Sequence, residues 1–161
     1  MEQYHALERK HFFYFVTCCK TWMKFLGISD WDVRFYFQEG DEQDPRACMG
    51  VESYGNRLAM IIVFDMWDAP PSPRNLWIVA FHEVHELLLA DCHIMAQSRE
   101  WNDESYDREH HRVIRMLENS VFSDMWEGKN AIFNIQSTDE VPEYTGSEVP
   151  DVYPVEEVPD S

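Results

Sequence analysis

Trp77-Ile-Val-Ala-Phe-His82-Glu83-Val84-His85-Glu86-Leu-Leu-Leu-Ala90 is the stretch on which the fold turns. Ten of its fourteen residues are apolar, and the other four ionise or bind metal. At about 100° per residue those four fall within roughly half the circumference of a helix. Charge in a largely buried helix is costly unless it is paired or bound. Ser72-Pro73 just upstream is a helix-start signal, with serine as N-cap and proline at the first helical position. The pattern therefore predicts a helix from Pro73 to about Asp91.

Working outward, residues 3–26 read as an amphipathic helix that buries Phe12, Phe15, Val16, Cys19, Met23 and Leu26, with Gly27 as its stop. Trp31 to Gln38 alternates as a half-buried strand. Glu39 to Pro45 is an acidic turn or loop. Ala47–Tyr54 and Arg57–Phe64 are two further strands joined at Gly55-Asn56 as a hairpin. The last of the three is the most apolar. Ser98–Ser105 reads as a loop. Tyr106–Phe122 reads as a helix with Val113, Ile114, Leu117 and Val121 on its apolar stripe. The fold class expected is α+β: an N-terminal helix, a small three-stranded sheet with a hairpin, the His-Glu helix and a second ligand-bearing helix.

The chain of 161 residues is long enough for one cored domain, placed at residues 1–136. Residues 137–161 differ in character. Val-Pro recurs at 141, 149 and 158 among acidic residues, as expected of a disordered, acidic, proline-containing tail. The net charge is −17. Eight carboxylates between Asp139 and Asp160, with no lysine or arginine among them, leave −9 on the remainder. No basic patch is evident, so direct nucleic-acid binding is not expected, although an acidic nucleic-acid mimic is conceivable. Cys18, Cys19, Cys48 and Cys92 show neither disulfide-framework nor zinc-ribbon spacing, which favours a reduced, intracellular protein. No signal peptide or membrane span is visible.

His82-Glu83-Val84-His85-Glu86 comes within one residue of H-E-x-x-H, with Glu86 in place of the second histidine. In that pattern residues i and i+4 hold zinc, and the glutamate after the first ligand serves a metal-activated water as general base. His82 and Glu86 fill the ligand positions, and Glu83 that of the base. His85 could form an i, i+3 pair with His82, or simply line a cleft. A third ligand is expected from Glu109-His110-His111. Periodicity turns His110 inward, in line with Val113, and puts His111 beside the stripe, without choosing between them. The alternative to a metal is a polar network of His82 with Glu86 or Glu118, with Glu83 at the surface.

Val79-Ala-Phe-His-Glu-Val-His-Glu-Leu-Leu-Leu89, followed by Glu109-His-His-Arg-Val-Ile-Arg-Met-Leu-Glu-Asn119, resembles small phage-encoded metallopeptidases of the minimal zincin type, a group that includes SprT-like proteins. The resemblance spans about residues 10–122. It implies a zinc-dependent peptidase in the cytoplasm of a bacterial host, with Zn2+ on His82, Glu86 and His111, and Glu83 as catalytic acid/base. It selects His111 over His110 by its distance from Asn119. It also implies strand 57–64 as the edge along which an extended peptide or protein substrate would lie. Glutamate as second ligand adds negative charge and lowers the Lewis acidity of the ion. The competing expectation is therefore a catalytically inactive zincin-fold protein that binds a host or virion partner through its acidic surface and tail.

Overall fold

Strand β4, Leu58–Phe64, lies at the centre of the main sheet of the computed structural model, which describes residues 4–97 and 103–122. β2, Asp32–Gln38, pairs with it in parallel from Asp32↔Leu58 to Gln38↔Phe64. β3, Ala47–Ser53, pairs antiparallel on its other side, with an irregularity between Val51 and Ser53. The order β2-β4-β3 corrects the expectation that 57–64 is an edge. Its run Leu-Ala-Met-Ile-Ile-Val-Phe is apolar on both faces, as suits a strand bonded along both sides. The edges fall to β2 and β3, which carry Asp32, Arg34, Gln38 and Glu52.

The register aligns Phe35, Ile61 and Met49 across the sheet, with Val33, Ala59 and Val51 on one side and Phe37, Val63 and Ala47 on the other. These side chains share the face that meets the helices. Helix α1, Arg9–Leu26, contributes Phe12, Phe15, Val16 and Cys19 to this core. Its Phe12 ring stacks 5.3 Å from Phe37. Helix α2, Pro73–Gln97, adds Leu76, Ala80, Val84 and Leu87. The result is a mixed α+β architecture, with α1 and α2 packed together beside the sheet.

Several boundaries differ from the sequence reading. α1 begins at Arg9, because His5–Ala6 forms a short strand, β1, with β5, Met66–Trp67. Leu7 N–H then donates to the Asp65 carbonyl at 2.7 Å. Glu8 takes the N-cap, its backbone N–H donating to His11 Nδ1 at 2.9 Å. Gly27, at φ 72°, ends α1, and Ile28 N–H returns to the Met23 carbonyl, a left-handed glycine stop. α2 runs six residues past Asp91, to Gln97. Its start is as expected, with Asn75 N–H donating to Ser72 Oγ at 3.3 Å. Helix α3 spans Asp103–Leu117 and runs into a π-helical turn, Glu118–Phe122. Residues 98–102 of the expected loop lie outside the described residues, as do the 136/137 boundary and the acidic tail.

The hairpin connection is Tyr54-Gly55-Asn56-Arg57, closed by Arg57 N–H to the Tyr54 carbonyl at 3.1 Å. Arg57 takes a left-handed φ of 54°, a position that favours glycine. Its side chain accounts for the choice. The guanidinium lies 4.8 Å from the Trp31 ring centre and 5.5 Å from that of Tyr54, and it pairs with Asp30 and Asp91.

Candidate metal centre

The inward stripe of α2 runs Leu76, Val79/Ala80, Glu83/Val84, Leu87/Leu88, Ala90/Asp91, the i, i+3, i+4 spacing of a helix laid on a core. Glu83 therefore sits among apolar neighbours and is only 3 % exposed. This overturns its placement at the surface in the metal-free alternative. His82 and Glu86 flank it on the outward side, with side chains 68 % and 48 % exposed. His82 Nε2 lies 3.2 Å from Glu86 Oε1, so two of the three expected ligands do meet.

The Glu83 carboxyl has a pKa pushed up to about 7. Burial is the main cause, and the negative charge of Glu86 adds to it. His82 and a backbone hydrogen bond from Met49 oppose the rise. Oε2 has no hydrogen-bond partner. The bond from Met49 follows from the ladder. Phe64 N–H donates to the Arg46 carbonyl, so the even-numbered residues of β3 bond to β4. Ala47, Met49 and Val51 turn their N–H and C=O groups to the free edge, and Glu83 meets that edge at Met49.

His85 belongs to a different cluster. Its ring lies 3.7 Å, centre to centre, from Phe81 and 6.1 Å from Trp22, which also contacts Phe25 and Trp77. His85 Nδ1–H donates to the Phe81 carbonyl at 2.7 Å, and burial lowers its pKa. It packs into an aromatic cluster on the α1–α2 side of the helix.

α3 meets α2 through charge. Arg112 Nη2 donates to Asp91 Oδ2 at 2.7 Å, and Arg112 Nε to Glu109 Oε2 at 2.8 Å. Val113 is buried and joins the hydrophobic core. With Arg112 and Val113 turned inward, His110 and His111 are both exposed, which corrects the inward reading of His110. His110 stacks on Tyr106, ring centres 5.7 Å apart and 7° from parallel. His111 Nδ1–H donates to the Asp107 carbonyl at 2.8 Å. Asp107, His110 and His111 bring one donor atom each within 4.8 Å of one another. Among the described residues no other set of three such donors is this close, so His111 does not converge with His82 and Glu86. As donors, an imidazole and a carboxylate one helical turn apart suit a zinc-type ion, and so does the His/His/Asp set on α3.

Two features escaped the sequence reading. Asp107 stands three and four residues before His110 and His111, the spacing of one helical turn. Asp91, 1 % exposed and held by Arg57 and Arg112, carries no local motif, because its partners come from a turn and a helix distant in sequence. No helix among the described residues is long and apolar enough to cross a membrane. Set against known protein families, curated proteins and solved structures, the chain matches none.

Proposed function

We propose that this chain is a metal-dependent hydrolase, a peptidase in class, with Glu83 as its general base and His82 and Glu86 as ligands of a Zn2+ ion. The observation that carries the reading is Glu83. A buried carboxyl held near pKa 7, with one oxygen unpartnered and a histidine–carboxylate pair beside it, is suited to moving a proton at neutral pH. A zinc ion would supply polarisation of a substrate carbonyl and a water of lowered pKa. Oε2 is the atom that takes the water's proton and returns it to the leaving amine. The hydrogen bond from Met49 orients the carboxyl for this task. The outward N–H and C=O groups of β3 give an extended peptide an edge to pair with.

Zinc analysis of the untagged chain tests the proposal, with peptide hydrolysis followed in parallel. The zinc bound by wild type should fall by one equivalent in His82→Ala and in Glu86→Ala. Glu83→Gln should keep the metal and lose hydrolysis. A metal-free wild type, or a Glu83→Gln variant as active as wild type, would end the proposal.

A second reading has one observation in its favour. His111 groups with Asp107 and His110 and stands apart from His82 and Glu86. A zincin-like protein that binds metal without hydrolysing anything would carry its donors in this way. Metal binding with no turnover by wild type across a peptide library is the outcome that selects it.

A further inference from the structure

We propose that Asp107, His110 and His111 form a divalent transition-metal site of their own on the outer face of α3, separate from the His82–Glu86 pair. This inference does not depend on the chemistry of Glu83. The three residues sit at i, i+3 and i+4, so one helical turn presents all three donors to one point. Their donor atoms lie within 4.8 Å of one another. Ligands about 2.1 Å from a tetrahedral zinc stand roughly 3.4 Å apart, so exposed side chains need only small rotations to close on an ion.

Both rings are already restrained. His110 is stacked on Tyr106, and His111 is anchored by its Nδ1–H to the Asp107 carbonyl. A hydrogen bond from one ring nitrogen to a backbone carbonyl is the usual way an imidazole ligand is oriented. His111 Nδ1 also stands 3.4 Å from Asp107 Oδ1, so the carboxylate is already drawn to this ring. Two imidazoles and one carboxylate suit Zn2+, Ni2+ or Cu2+; Mg2+ and Ca2+ prefer all-oxygen shells. All three side chains are exposed, so the remaining coordination positions face solvent and are filled by water.

The test is calorimetric titration of the chelator-stripped, untagged full chain with Zn2+, and of three variants whose far-UV circular dichroism matches wild type. The doubly substituted His82→Ala/Glu86→Ala chain should still bind one equivalent. Asp107→Ala and His110→Ala should each weaken that equivalent by at least the ~10-fold that loss of an outer-shell partner costs. The inference is overturned if Asp107→Ala and His110→Ala bind as wild type does. It is equally overturned if the double variant binds no zinc. If the wild type binds a single equivalent that is lost with His82 and Glu86 and is indifferent to Asp107 and His110, the hydrolase reading survives and this site does not. Failure of hydrolysis with zinc retained on α3 separates the two in the other direction.

Discussion

Arg112 Nη2 stands 2.7 Å from Asp91 Oδ2, and Arg57 holds the other oxygen of the same buried carboxylate. One anion thus fastens the β3–β4 turn and α3 to the far half of α2. Asp91→Ala removes the buried carboxylate that the two guanidinium groups share, leaving Arg57 to Asp30 and Arg112 to Glu109, and should cost about 3 kcal/mol. Arg112→Ala should cost less, since Asp91 keeps Arg57. The double Arg57→Ala/Arg112→Ala variant should cost more than the sum of the singles, because only then is the carboxylate buried alone. Arg57→Gly removes the same contacts as Arg57→Ala but fits the left-handed φ, so it should be the milder change. Urea denaturation of the five variants measures all of this. Equal losses for Asp91→Ala and Arg112→Ala would contradict the shared-anion account.

Glu83 makes the stability of the metal-free protein depend on pH. Its folded pKa is about 7, against 4.5 for an ordinary glutamate. Below pH 4.5 both states are protonated and there is no penalty. Between 4.5 and 7 the unfolded chain ionises first, so stability falls as pH rises; above 7 the penalty is constant, on the order of 3 kcal/mol. Relative to wild type, Glu83→Gln should gain stability across that window. Glu86→Gln should lower the folded pKa, and His82→Ala should raise it. Denaturation curves at pH 5 and pH 8 measure the difference; a wild-type-minus-variant gap that does not move with pH would refute it.

The four thiols should divide by burial. Cys18 and Cys19 are fully buried in α1, and burial pushes both pKa values far up. Cys48 and Cys92 are half-buried and less strongly raised. Thiolate is the reactive form, so alkylation of the native chain should modify Cys48 and Cys92 well before the α1 pair. Mass spectrometry of the labelled peptides reads the order, and early modification of Cys19 would count against the packing described for α1.

Much of this was legible in the residues. Period-3.6 and period-2 patterns located α1, α2, α3 and the three strands of the main sheet. Gly27 and Ser72-Pro73 marked their boundaries. Hidden from that reading was whatever depends on partners distant in sequence. The resemblance implied β4 as an edge, whereas β2 pairs with it on one side and β3 on the other. His5 and Ala6 continue a helical pattern that Met66 and Trp67 override. His110 fits an apolar stripe until Arg112 finds Asp91 and fixes the rotation of α3. At the site, the His82–Glu86 pair and the neighbouring Glu83 follow from helical spacing alone. The burial of Glu83 and the grouping of His111 with Asp107 required the sheet and the interhelical ion pairs.

The central position of β4 also sets an order of assembly. Its pairs with β3 lie between five and sixteen residues apart in sequence, from Ser53↔Leu58 to Ala47↔Val63, whereas every pair with β2 spans twenty-six. Closing the smaller loops costs less chain entropy, so the hairpin should form first and β2 should dock last. Until it does, the most apolar strand of the protein has one open side during folding. Substitutions at Phe35 should then speed unfolding and leave refolding nearly unchanged, while substitutions at Ile61 should slow refolding. Stopped-flow kinetics would reveal the reverse if β2 docks early. The strand that organises the finished sheet is, on the way there, the part of the chain most exposed to pairing with another copy of itself.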